Sequence, residues 1–180
     1  MLALVEKVLE KTENTLGARR LRAHVWYRKG TIHRLMSQPE EARVCLNRAM
    51  QAAIDDPVVM TDAMEQLGSL ELQYGNPMLS ARFFEGALES AHQTGSPDKA
   101  FQVRQNMAAV YRRQGDIETA RMHLTACLEY YEGQGLKRQQ SRSLNDLSEL
   151  DRFTGDLDRA EDGYRRALTL LESLGDQTFY

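Results

Sequence analysis

The sequence predicts an all-α protein made by repeating one pair of helices. Three observations lead there. Glycines fall at 75, 95, 115, 135, 155 and 175, one every twenty residues. Between them apolar residues recur at spacings of three and four, as a helix facing a core requires, and no stretch alternates as a strand would. Finally, "YRRQGDIETARMHL" at 111–124 returns forty residues later as "DRFTGDLDRAEDGY" at 151–164. A period of that size marks a stacked helical repeat.

The punctuation fixes the elements. A helix is expected at 1–16, carrying Leu2, Val5, Leu9 and Leu16 on one stripe, and a second at 21–36. Ser37, Asp56, Asn76 and Ser96 are N-cap residues, and Pro39, Pro57, Pro77 and Pro97 follow each by one or two positions. Proline in a first helical turn gives up no hydrogen bond, because that N–H has no partner within the helix. Helices are therefore expected at 39–54, 57–74, 77–93 and 97–114. Glycine just past a helix takes the left-handed conformation that other residues resist. With that stop, helices follow at 116–133, 137–154 and 156–174. We name the first helix of each pair A and the second B. The chain then reads as one domain over 1–180: a lone B helix, then pairs at 21–54, 57–93, 97–133 and 137–174. One connection, "IDDPVV" at 54–59, lacks glycine and shortens the local period by two residues.

Aligned on this period, helix A has a small residue at Gly30, Gly68, Ala108 and Ser148. Helix B answers with small residues at Ala42, Ser80, Ala120 and Ala160, large ones at Leu46, Phe84, Leu124 and Tyr164, and small ones again at Ala49, Ala87, Cys127 and Ala167. Small residues let two helices approach closely while the large one fills the space between them. This pattern resembles the tetratricopeptide repeat over nearly the whole chain. It departs from the standard repeat in its forty-residue length, in lacking the closing proline, and in the aromatic slot near the end of helix A. That slot holds Tyr111 once and His33, Glu71 and Asp151 elsewhere. In these respects it is similar to the forty-residue variety of kinesin light chains and bacterial regulators. The resemblance implies an α-solenoid of about 4.5 repeats, a right-handed superhelix with the A helices lining its concave side.

Chemistry is sparse. Net charge is −3 and the pI about 5.8, which argues against nucleic acid and anionic membrane as partners. No apolar run is long enough for a membrane span. The opening "MLALVEKVLEKTEN" is charged too early for a signal-peptide core, which points to the cytoplasm. His123 and Cys127 stand four apart on one helix, a metal-compatible spacing, but Cys127 occupies a packing slot. The acidic pairs Asp62/Glu65 and Asp146/Glu149 are expected to face solvent. We therefore expect no catalytic residue, no metal and no cofactor.

The resemblance implies a groove for a segment of another protein. By alignment its slots hold His24, Asp62, Gln102 and Arg142; Tyr27, Glu65, Gln105 and Asn145; Arg28, Gln66, Asn106 and Asp146; Thr31, Ser69, Ala109 and Glu149; and Arg34, Leu72, Arg112 and Arg152, with Arg113 adjacent. The arginines could receive carboxylates as bidentate pairs, or bridge to acids of the next repeat such as Asp116 and Asp156. The amides could grip a ligand's backbone. The lysines of the known clamp for chaperone tails are absent, so that ligand is not expected. The expected role is a non-catalytic interaction module within a larger bacterial regulatory or signalling protein. The alternative is a spacer that self-associates through ends left without a neighbouring helix.

Overall fold

The computed structural model describes residues 15–175. They form eight α-helices: α1 Leu16–Leu35, α2 Pro39–Ala52, α3 Pro57–Tyr74, α4 Pro77–Gln93, α5 Pro97–Gln114, α6 Ile117–Gly133, α7 Lys137–Thr154 and α8 Leu157–Glu172. No strand occurs among the described residues. The helix expected at 1–16 lies outside them except for its last two positions. Those two are the cap and first residue of α1, which starts at Leu16 and not at 21, because the Thr15 hydroxyl accepts the Ala18 N–H at 3.2 Å and caps it. The contacts group the chain into two compact units, the first ending at Ala100 and the second beginning at Phe101, inside α5.

Of the expected N-caps, Asp56 and Asn76 hold and Ser37 does not. Asp56, Asn76, Asp116 and Asp156 accept the N–H three residues on, so Asp116 and Asp156 precede their helices and do not open them. Ser37 stands where later pairs have Gly75, Gly115 and Gly155, and it takes φ 57°, the left-handed region, as they do. The Gln38 N–H reaches back to the His33 carbonyl at 2.9 Å, just as Asn76 reaches Glu71 at 2.8 Å. Ser37 thus ends α1, and the N-cap position of α2 falls to Gln38, whose side chain makes no capping bond.

In the first unit Gly30 lies under Leu46 and Gly68 under Phe84. A methyl added at Gly30 would come to 2.6 Å from Leu46 Cγ, and one at Gly68 to 2.9 Å from Phe84 Cε1. Glycine there sets the distance between the helices of a pair. Ala42, Leu46, Leu67 and Leu70 form one buried cluster with Tyr27, Met50 and Phe83 around it. Ala23, Ala53 and Val59 form another, beneath the glycine-free connection. In the second unit Ala108, Ala120, Leu124 and Leu150 make the cluster, flanked by Tyr111, Ile117 and Leu147. Here the close approach is reversed, because a methyl on Gly163 of α8 would run into Ser148 Oγ.

Candidate functional site

Once the small and large slots have packed each pair, the A helices α1, α3, α5 and α7 keep a polar face. In the first unit, Arg34 Nε of α1 donates to Gln66 Oε1 of α3 at 2.8 Å. Arg28 is exposed, with its guanidinium 5.6 Å from the Tyr27 ring. Tyr27 itself packs against both apolar clusters, so its ring belongs more to the core than to the face. The Asp62/Glu65 pair does not face solvent as expected. Lys99 Nζ, at the start of α5, sits 2.6 Å from Asp62 and 2.5 Å from Glu65, and Glu65 is only 4 % exposed. Burial lowers the Lys99 pKa, but the two carboxylates outweigh it and hold it above its ordinary value.

The second unit repeats the design with other residues. Gln105 of α5, also buried, donates from Nε2 to Asp146 Oδ2 of α7 at 2.6 Å. Arg142 Nη2 donates to Asn106 Oδ1 at 2.9 Å. Burial raises the Asp146 pKa, while the Gln105 bond and the Arg142 charge oppose it. Glu149 is likewise not a free surface acid. It accepts from Arg152 Nη2 at 2.8 Å and from the Tyr164 hydroxyl of α8, and these bonds hold its pKa below the usual range. Arg112, Arg113 and Asn145 are exposed, and Gln102 is half-buried.

Of the expected site residues, then, Glu65 and Gln105 lie beneath the surface, and Arg34, Gln66, Asn106, Arg142 and Arg152 are engaged with neighbouring side chains. The arginine slot does not bridge to Asp116 or Asp156. Those acids cap α6 and α8, and Arg152 pairs within its own helix. Lys99 and Tyr164 were missing from the expected groove, where Asp62 and Asp146 are placed only as slot residues. The available signal was Lys99 itself, a charge in the slot that holds Val59 one repeat earlier.

The acids in the aromatic slot also have partners. Arg43 of α2 pairs with Glu71 of α3 at 2.7 Å, and Arg121 of α6 pairs with Asp151 of α7 at 2.6 Å. Between these two pairs in sequence, Tyr111 fills the slot and stacks on His123, with ring centroids 5.1 Å apart. Cys127 Sγ donates to the Phe101 carbonyl at 3.3 Å, and burial pushes its pKa up to about 12. Among the described residues no group of three or more His, Cys, Asp and Glu side chains could hold a metal ion. None of the described helices is long and apolar enough to cross a membrane.

This geometry agrees with comparison to known proteins. One family profile described as tetratricopeptide repeat matches residues 60–133 and again 99–173, more than half of the chain, and a second matches 23–53. The chain belongs to the tetratricopeptide repeat family. Members of the family generally serve as non-catalytic scaffolds for protein interaction. Among solved structures this repeat protein is similar to the apo form of RapI, with a TM-score of 0.83 at 15 % identity over 97 % of this chain and 63 % of that one. It thus spans less than two thirds of the RapI chain. BtubC from P. vanneervenii gives 0.80 at 18 % identity, over 99 % of this chain and 75 % of that one. A kinesin light chain of Podospora anserina gives 0.72 at 12 %, over 99 % and 86 %. At these identities the likeness concerns the fold. No curated protein sequence matches the chain.

Proposed function

We propose that this tetratricopeptide repeat protein is a non-catalytic interaction module that holds a segment of a partner protein in a concave groove lined by its A helices. It would do so as part of a larger bacterial regulatory or signalling protein. One observation carries the reading. In the second unit, Arg112, Arg113, Asn145 and Arg152 stand exposed on α5 and α7, while the packing of those helices rests on Ala108, Leu124 and Leu150. Exposed polar side chains with so little part in the core can meet a ligand, Arg152 by exchanging its Glu149 partner for it.

The test is affinity capture from source-cell lysate with the parent chain and with a variant carrying Arg112→Glu, Arg113→Glu and Arg152→Glu. Circular dichroism first establishes equal helicity. A partner held by the parent and lost by the variant supports the reading. Partners retained equally by both would overturn it.

A further inference from the structure

The arginine slot at the end of helix A occurs four times, as Arg34, Leu72, Arg112 and Arg152. Two of its three arginines are supplied with an acceptor from within the protein. Arg34 has the Gln66 amide at 2.8 Å, and Arg152 has Glu149, which reaches its Nη2 at 2.8 Å and its Nε at 3.3 Å. The Arg112 side chain is exposed and makes no hydrogen bond or ion pair among the described residues. Its charge acts to lower the pKa of both Asp146 and Glu149, yet neither carboxylate pairs with it.

The reason is local. Three residues before Arg152 stands Glu149, anchored by Tyr164 of the following helix. Three residues before Arg112 stands Ala109, and the position matching Tyr164 is Leu124. α7 therefore carries the arginine with its carboxylate supplied. α5 carries the same arginine with a methyl group where the carboxylate would be.

We infer that the α5–α7 face binds an acidic segment of a partner protein, an Asp or Glu carboxylate of which sits on Arg112 as Glu149 sits on Arg152. The inference rests on the interaction reading above and adds the partner's chemistry to it. Charge agrees. In the slots of this face Arg112, Arg142 and Arg152 outnumber Asp146 and Glu149, in a chain whose net charge is −3. An exposed guanidinium offers a planar fork that matches a carboxylate and costs little to desolvate. Glu149 also acts as an internal competitor, since it occupies the second arginine that an incoming acid could use.

The experiment is selection of random displayed dodecapeptides on the immobilised full chain, followed by binding measurements on the parent, Arg112→Gln and Glu149→Gln, with circular dichroism confirming that each folds. The expected result is enrichment of Asp and Glu. The selected peptides should lose about tenfold in affinity on Arg112→Gln and gain on Glu149→Gln. Binding should weaken from low to high salt. Selected peptides with no acidic preference, or equal binding to Arg112→Gln, would overturn this inference and leave the interaction reading standing. Failure to select any peptide would overturn both.

Discussion

Four of the acids that tie A helices to their neighbours lie partly or wholly out of solvent, and they survive there by three different arrangements. Glu71 and Asp151 face arginines from the preceding helix. Glu65 shares a lysine with Asp62. Asp146 has no such cation within ion-pair distance, and its main bond is to a neutral amide, Gln105 at 2.6 Å. Burial therefore wins, and its pKa is raised. A carboxyl that holds its proton more tightly when folded than when unfolded makes stability fall as pH rises from the ordinary value of 3.8 through the folded value. The penalty is complete above that window and absent below it. Asp146→Asn keeps an acceptor for Gln105 and removes the charge. Thermal melts should show a higher Tm than the parent at neutral pH, with the gain shrinking as pH falls toward 3.8. A lower Tm at neutral pH would mean that attraction from Arg142 outweighs burial, reversing the assignment.

At the scale of an element, the turn after α1 shows how the repeat tolerates a departure. Ser37 does the work of Gly75, Gly115 and Gly155 at φ 57°, a conformation that strains a residue with a Cβ. Ser37→Gly should raise stability by about 1 kcal/mol in chemical denaturation, because the strain outweighs the extra freedom glycine brings to the unfolded chain. No change would show that the serine carries no strain there. Elsewhere the elements were legible because their signals are exclusions. Glycine past a helix, proline in its first turn and a small residue opposite Leu46 or Phe84 each rule out most alternatives at a fixed period. The polar face was less legible. Whether Glu65 meets water or Lys99 depends on the register between two helices that brings together residues 34 apart in sequence, and a carboxylate looks the same in either setting. The start of α1 was missed for a similar reason, since Thr15 is one N-cap candidate among several polar residues near it.

At the scale of the whole molecule, each of the three apolar clusters described above lies within one unit: Leu46, Leu67, Ala23 and Val59 belong to the first, and Ala108, Leu124 and Leu150 to the second. A helical repeat stacks each pair on its neighbours only, so its stability is close to a sum of local contributions. That makes a core mutation a local event. Leu150 is fully buried and meets Ala108, Ala120 and Leu124. Leu150→Ala should cost about 3 kcal/mol through lost burial and the cavity left behind. Native-state hydrogen exchange reads where that cost falls. Amides of α6, α7 and α8 should exchange faster, while those of α1 and α2 keep their parent rates. Uniform acceleration across α1–α8 would mean that the protein opens only as a whole, and the nearest-neighbour account of its stability would then be wrong.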